Sequence, residues 1–545
     1  MPVEEDLCTL SYARGPSRPL LELTIGALLD RTASRFPERL AVASCHQSKR
    51  LSWTELSAEA DRVARGLWAL GIRRGDRVGL WSTNCIEWIV MHMGCARAGA
   101  ALVNVNPAYR SHELRYTLQK SRMKALFLWS KDRRADYEEI LGRARQGLTL
   151  ALEHTVCFDS PEWPALLDAE GKLPDRVAVD DVANIQYTSG TTGLPKGVML
   201  THHNIVNNGQ FLAQGFHYTE QDKIVVPVPL FHCYGCVIGT MTALNTGAAI
   251  LLPSWTFDPR ATLKAVHDER ATSVYGVPAM YVAEMALPEF SSYNLTSLRT
   301  GMMSGAPCPV ELMKRVLNEM YCRELVIAYG QTETSPVTTM SDADDSIEIR
   351  VSTVGRAMPQ TEIQIASTVT GQRLPIGEQG ELCIRGYALM KGYDGDPEGT
   401  ADVIHADGWL HTGDLGILRE DGCIHLTGRS RDVIIRGGEN IYPREVEEFL
   451  YTHPKVDEAQ VVGIPNARLG EIVVAWVRLK PGVEATEEEI RAFCQGQIAY
   501  YKIPEHVRFV SEFPATLSGK IQKYKMRAFE IEARGLQSLA EAATA

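Results

Sequence analysis

The segment YTSGTTGLPKGV, residues 187–198, carries the residue types needed to hold an anion. Its three glycines, Gly190, Gly193 and Gly197, let the main chain bend so that consecutive N–H groups can point at one charged group. Thr188, Ser189, Thr191 and Thr192 add hydroxyl donors, and Lys196 adds a cation. Such a loop suits a nucleotide phosphate. Gly190 and Gly193 do not stand in the G-x4-G-K-S/T spacing of the Walker A motif, so this is a phosphate loop of another kind.

The elements that must position the loop can be read from periodicity. β-Rich runs at residues 78–81, 102–105 and 125–128 alternate with helices at 87–98 and from Ser111. Ser52 and Glu55 form a capping box for a helix that Gly71 closes. The alternation resumes with strands at 225–229, 250–252, 273–275, 298–301 and 325–329 and helices at 261–270 and 310–320. This predicts an α/β fold whose large N-terminal part has parallel-rich sheets covered by helices, with ligands at the carboxyl ends of the strands. From about residue 355 shorter strands and turns predict a small β-rich subdomain. A helix from Pro443, strands at 459–463 and 473–479, a helix capped by Thr486 and a strand at 507–510 predict a small α+β domain at the C-terminal end. The charged stretch 429–432 is the expected boundary.

Composition narrows the function classes. The 545 residues are 45% hydrophobic, 23% charged and 8% aromatic, which excludes wholesale disorder and a collagen-like chain. A net charge of −11 without a long Lys/Arg run argues against nucleic acid and against an anionic membrane surface. Among the twelve cysteines only Cys233 and Cys236 form a CxxC, with no second pair to complete a zinc site. Reduced thiols in a cytoplasmic protein are expected. The acidic start, MPVEEDLCTL, has neither the apolar core of a signal peptide nor an Arg-rich amphipathic pattern, so neither export nor import is expected. No Asp, Glu, Lys or Arg stands between Lys223 and Asp258, a span exceeding the ~20 residues that cross a bilayer. Pro227, Pro229, His232, Asn245 and Pro253 interrupt it, and it reads as a buried strand, a short apolar helix and a second strand.

Further motifs follow the phosphate loop in order: PLFHCYG from Pro229, SGAP from Ser304, YGQTE from Tyr329, GELCIRG from Gly380, GWLHTGDLG from Gly408, GRSRDVIIRGGENIYPREVE from Gly428 and PATLSGKIQK from Pro514. Over nearly its whole length the chain resembles the adenylate-forming enzymes: acyl-CoA synthetases, luciferase and the adenylation domains of peptide synthetases. The wording RGGENIYP, YYKIP and SGKIQK is most similar to that of the medium-chain fatty acyl-CoA synthetases. The resemblance implies an AMP-forming ligase that turns a carboxylic acid into an acyl-adenylate and passes the acyl group to the thiol of coenzyme A. ATP, magnesium, the acid and coenzyme A would be its ligands; family members range from monomers to larger assemblies, so the resemblance leaves the assembly open, with a homodimer as one candidate.

The resemblance also implies roles for residues. Thr188, Ser189, Gly190, Thr191, Thr192, Gly193 and Lys196 would hold the phosphates of ATP. Ser304, Gly305, Ala306 and Pro307 would line the purine, Tyr329 would pack on it, and Gly330 and Gln331 would complete that turn. Thr332 would touch the α-phosphate, Glu333 would hold magnesium, and Asp414 and Arg429 would bind the ribose. Lys520 would bridge the substrate carboxylate and the α-phosphate, whereas Lys523 is expected at the surface. The implied domains are 1–428 for ATP and acyl binding, a hinge at 429–432 containing Arg431, and a mobile domain at 433–545 carrying Lys520. Gly437 and Gly438 would give the pantetheine arm a passage, and Arg436 and Lys502 are candidates for the coenzyme A phosphates.

In acetyl-CoA synthetases a tryptophan precedes the Gln-Thr-Glu and closes the acyl pocket; here Gly330 stands there, so acetate should be a poor substrate. The expected pocket walls are His232, Cys236, Gly239, Met302, Met303, Gly330, Thr334 and Val337, with His232 as gate or wall. An aryl or branched acid is the alternative substrate. A non-catalytic nucleotide- or lipid-binding regulator would be expected to lack Glu333, Asp414 or Lys520, and all three are present.

Overall fold

A computed structural model describes residues 9–133, 135–170, 173, 176–188, 195–305, 308, 310–429, 432–436, 439–466, 468–495, 497–498, 500–516 and 520–542. The chain forms two compact units: one of Ala13–Ile363 with Ile384–Leu410, and a smaller one that takes in the described residues before Ala13, Gln364–Cys383 and the chain from His411 onward.

Two sheets organise the larger unit. In the nine-stranded sheet, Glu324–Gly330, Thr300–Ser304, Ser273–Gly276, Lys223–Val225, Ala249–Leu252 and Leu40–Ser44 are neighbours in that order, all parallel. In the seven-stranded sheet, Val182–Thr188, Ala101–Val105, Arg77–Trp81, Ala125–Leu128 and His154–Cys157 run parallel in that order. Antiparallel Lys196–Thr201 and then Gly392–Tyr393 extend it beyond Val182–Thr188. The expected parallel-rich α/β class is the class observed.

Local chemistry sets the element boundaries. Helix Trp53–Ala69 starts with the expected capping box: Ser52 Oγ accepts from Glu55 N at 3.2 Å, and Glu55 Oε2 accepts from Ser52 N at 2.7 Å. Helix Ile86–Ala98 is buried around its circumference save for Arg97, which explains why it lacks a polar face. Strand Lys223–Val225 ends before the expected 225–229 run does, because Pro227 and Pro229 have no N–H to give to a sheet. The strand expected at 298–301 lies at Thr300–Ser304, since a turn from Leu295 O to Leu298 N, 3.0 Å, holds the chain back. The uncharged segment folds as expected into a strand, the short helix Thr240–Thr246 and strand Ala249–Leu252. Among the described residues no helix is long and apolar enough to cross a membrane.

In the smaller unit, Val456–Asn466 and Gly470–Leu479 pair antiparallel, and His506–Phe509 joins Gly470–Leu479 in parallel. Side chains alternate across this sheet. Val461, Val473, Ala475 and Val477 face helices Pro443–Leu450 and Glu487–Cys494, whereas Val462, Ile464, Ile472, Val474 and Trp476 pack with Met526 of helix Lys523–Ala533.

Candidate active site

Thr188 and Lys196 face each other across the antiparallel pair Val182–Thr188 and Lys196–Thr201, which fixes both ends of the phosphate loop. Ser189, Gly190, Thr191, Thr192 and Gly193 lie outside the described residues, as do Ala306, Pro307, Arg431, Gly437 and Gly438. The Lys196 ammonium lies 3.5 Å from Asp396 Oδ2 and 4.7 Å from the centre of the Tyr393 ring. Beside it a cleft of about 170 Å³ is lined by Tyr116, Lys120, Pro195, Tyr393, Asp394 and Asp396.

The YGQTE turn reaches the same place from the other sheet. Glu324–Gly330 carries Tyr329 as its penultimate residue, and a short turn, Thr332–Thr334, follows. The Tyr393 hydroxyl donates to Glu333 Oε1 at 3.0 Å, and Met390 N donates to Glu333 O at 2.8 Å. Lys196 and Glu333 therefore meet at one tyrosine, the first over its ring and the second at its hydroxyl. Ser304 closes the adjacent parallel strand and donates from Oγ to Ala328 O at 2.7 Å. Gly305 follows with φ +86°, a conformation that glycine adopts without steric cost. Ser304, Gly305, Tyr329, Gly330, Gln331 and Thr332 thus share the carboxyl ends of neighbouring strands, the usual ligand side of such sheets. Glu333 offers a hard carboxylate oxygen of the kind that magnesium takes.

A buried amide chain holds the PLFHCYG segment. Asn84 donates to Val228 O at 2.9 Å and accepts from Leu230 N at 2.8 Å, while Asn104 donates to Phe231 O at 2.8 Å. Asn184 donates to Asn104 Oδ1, Gln186 donates to Asn184 Oδ1, and Gln186 also donates to Cys236 Sγ at 3.2 Å. A π-helical turn, Tyr234–Gly239, carries Cys236 and Gly239. His232 Nδ1 accepts from Tyr234 N at 3.1 Å, and Cys233 Sγ sits 3.5 Å from that nitrogen and 3.8 Å from Thr332 Oγ1. Burial pushes the Cys233 thiol up to about 12, so it stays protonated and is no nucleophile at neutral pH. None of these four amides was anticipated from sequence; the signal available was the pair Asn184 and Gln186, two apart in an otherwise apolar strand.

Of the expected acyl walls, Cys236, Met302 and Val337 pack in one buried cluster. Met302 and Met303 are successive residues of one strand and point to opposite faces, so only one of them can share a wall with Cys236. Thr334 Oγ1 lies 2.7 Å from Pro336 O and 3.0 Å from Gln331 O, bonds that brace the turn. A Cβ on Gly239 would come within 2.9 Å of Val226 Cγ1, and one on Gly330 within 1.7 Å of Pro336 O. Gly330 is thus required by the main chain opposite it, whatever room lies beyond. Gly330→Ala should cost about 2 kcal/mol or more of stability through forced displacement of that strand pair, read as a lowered denaturation midpoint; an unchanged midpoint would show that the turn yields freely.

In the smaller unit Asp414 and Arg429 are paired across antiparallel strands, with Nε 2.9 Å from Oδ1. Glu381 steadies that hairpin: Oε1 accepts from Gly413 N at 2.9 Å, and Oε2 lies 2.8 Å from His411 Nδ1. Lys520 is exposed on a turn closed by Thr516 N to Lys520 O, 2.8 Å, and Lys520 N to Thr516 Oγ1, 3.1 Å. Lys523, expected at the surface, instead reaches buried Glu447 at 2.5 Å, because Val461 N alone cannot compensate that carboxylate. Arg436 binds Tyr501 O at 3.0 Å and Glu505 at 2.7 Å, and Lys502 pairs with Glu445.

Comparison with known proteins gives the same picture along the sequence. The pattern of the AMP-binding enzymes matches residues 29–394, and that of the AMP-binding enzyme C-terminal domain matches 445–520. The medium-chain acyl-CoA ligase ACSF2, mitochondrial, of Mus musculus is 42% identical over 95% of this chain and 89% of its own. Its Homo sapiens counterpart is 40% identical over the same shares. The crystal structure of ATP-bound MatB from Rhodopseudomonas palustris superposes with a TM-score of 0.84 at 29% identity, covering 93% of this chain and 99% of that one.

Proposed function

Because this chain belongs to the AMP-binding enzyme family, we propose that it is an AMP-forming acid:CoA ligase acting on a medium-chain fatty acid. The observation that carries the reading is the meeting of Lys196 and Glu333 at Tyr393, which puts a phosphate-loop cation and a carboxylate ligand at one strand-end site.

A carboxylate is a poor acyl donor. Its oxygen attacks the α-phosphorus of ATP, the bond to the β-phosphate oxygen breaks, and pyrophosphate leaves. The thiol of coenzyme A then attacks the carbonyl of the mixed anhydride, and AMP leaves. In the first step two anions approach each other, so positioned cations and oriented N–H groups supply much of the rate. The loop at residues 188–193 and Lys196 receive the pyrophosphate end, Thr332 the α-phosphate, Ser304 to Pro307 and Tyr329 the purine, and Asp414 with Arg429 the ribose. Glu333 would hold magnesium, whose charge would offset that of the phosphates. Lys520 joins the substrate carboxylate to the α-phosphate. Its occupation of that approach is why the thiol step needs the domain from residue 433 to turn about 429–432.

We place Cys236, Met302 and Val337 on the acyl wall and His232 beside Thr332 as its gate. A wall of sulfur and aliphatic carbon suits a flexible apolar tail better than a polar head. The described cysteines are free thiols, in keeping with a cytoplasmic site of action.

The test is CoA-dependent AMP formation with straight-chain acids of two to sixteen carbons, alongside benzoate and phenylacetate. Burial of each methylene at about 0.8 kcal/mol should raise kcat/KM by about fourfold per CH₂ until the pocket ends. An aromatic winner would leave the ligase chemistry standing and replace the pocket; no AMP from any acid would sink the function. The hinge has its own test. Arg431→Pro should retain pyrophosphate exchange and lose most thioester synthesis, and equal loss of both would refute the hinge.

A further inference from the structure

Tyr393 occupies a place that no motif reading singled out. It ends the two-residue strand Gly392–Tyr393, which pairs with the outgoing strand of the phosphate loop, Tyr393 opposite Val198. Lys391 N donates to Met199 O at 2.9 Å and Asp394 N donates to Gly197 O at 2.7 Å, so the main chain on both sides is locked to that strand. Tyr393 N itself is taken by Thr400 Oγ1 at 2.9 Å. The side chain is buried. Its hydroxyl reaches Glu333 Oε1 at 3.0 Å, and its ring lies 4.7 Å beneath the Lys196 ammonium.

Each contact uses a different property of the ring. The phenol donates to an ionised acceptor, and such charge-assisted bonds are the directional and strong ones. The π face attracts a cation without quenching its charge, leaving the ammonium able to turn toward phosphate. Asp396, 3.5 Å from Lys196, marks the edge of the lysine's seat.

We propose that Tyr393 is a positioning residue for the nucleotide: its hydroxyl aims the Glu333 carboxylate at a divalent cation while its ring seats Lys196 for the pyrophosphate end of ATP. One side chain thereby sets the distance between the carboxylate that takes the cation and the cation that takes the phosphates. The inference rests on the reading of Glu333 as cation ligand given above.

The test is ATP–pyrophosphate exchange by the full chain, titrated with Mg²⁺, for wild type, Tyr393→Phe, Tyr393→Leu, Glu333→Gln and the double variant Tyr393→Phe/Glu333→Gln. Thermal melts run alongside to report folding. Tyr393→Phe keeps the ring and loses the hydroxyl. It should raise the Mg²⁺ requirement about 10–100-fold, the usual effect of removing a partner of a metal ligand, and leave the KM of the acid unchanged. Tyr393→Leu loses both contacts and should raise the KM of ATP as well. Adding Tyr393→Phe to Glu333→Gln should shift the Mg²⁺ requirement no further, because both act through one cation. If Glu333→Gln shifts the Mg²⁺ requirement and Tyr393→Phe does not, the role of Tyr393 is overturned and that of Glu333 stands. If neither shifts it, both are overturned. A lower melting temperature with an unmoved Mg²⁺ profile reduces Tyr393 to a packing residue, which also overturns the proposal.

Discussion

Replacing Lys520 with alanine should slow acyl-adenylate formation by a factor on the order of 10²–10³, the cost of losing one well-placed electrostatic stabiliser of a transition state. The substrate carboxylate and the α-phosphate are both anionic, and their approach is the part of the reaction that a positive charge helps most. Lys520 is exposed on a turn whose bonds, Thr516 N to Lys520 O and Lys520 N to Thr516 Oγ1, are made by the main chain and another residue's hydroxyl. Truncating the side chain leaves those two bonds in place. A thermal melt of the variant run alongside separates a loss of chemistry from a loss of fold. Two assays separate the half-reactions: ATP–pyrophosphate exchange reports the first, and thioester formation from chemically prepared acyl-adenylate reports the second. A loss confined to exchange is the expected result. A parallel fall in both would assign Lys520 to a step common to the two, and no fall in either would remove it from the mechanism.

Acid should unfold the larger unit more steeply than its carboxylates alone would, because two buried histidines are held neutral there. His92 lies on the wholly enclosed helix Ile86–Ala98, against the Trp88 ring at 5.4 Å, and neither of its ring nitrogens has a hydrogen-bond partner among the described residues. His202 begins helix His202–Gly215 and accepts from Ile25 N through Nδ1 at 3.2 Å. Burial pushes His202 down to about 4, opposed by nearby Asp181. Burial, with the charge His202 acquires when protonated, pushes His92 down to about 3.

Because the folded-state values lie below the ordinary value of 6.5, the unfolded chain takes up protons first as pH falls. The stability is whole above about 6.5 and is lost progressively down to the folded-state values, at about 1.4 kcal/mol per pH unit for each histidine. From pH 6.5 to pH 5 the pair should cost about 3 kcal/mol. Denaturant midpoints measured across that range would show the loss, and His92→Leu, which cannot titrate, should remove about half of the slope. An unchanged slope in the variant would mean that His92 is reached by water or a partner that lets it charge in place.

The sequence by itself determined the reaction class and the element types. Periodicities of two and 3.6, together with caps such as Ser52 with Glu55, act over a few residues and are legible wherever the chain is read. The spacing of the phosphate loop, the YGQTE turn and the lysine turn likewise belongs to contiguous segments. What the sequence could not contain is which side chains meet. Tyr393 lies 60 positions from Glu333 and yet bonds to it, a contact created by pairing Gly392–Tyr393 with the strand behind the phosphate loop. The Asn104, Asn184 and Gln186 chain beneath PLFH exists only because parallel strands bring those amides into register. By sequence Gly330 reads as an opening for an acyl chain, but the fold shows a nearer reason for it, the carbonyl of Pro336 pressed against the place of its missing side chain. Lys523 gave the same lesson at the other end, since a lysine on a helix looks exposed until a buried Glu447 stands opposite it. Local chemistry is written in neighbouring residues; the positioning of charge depends on contacts between distant ones, and only the packed sheets decide those.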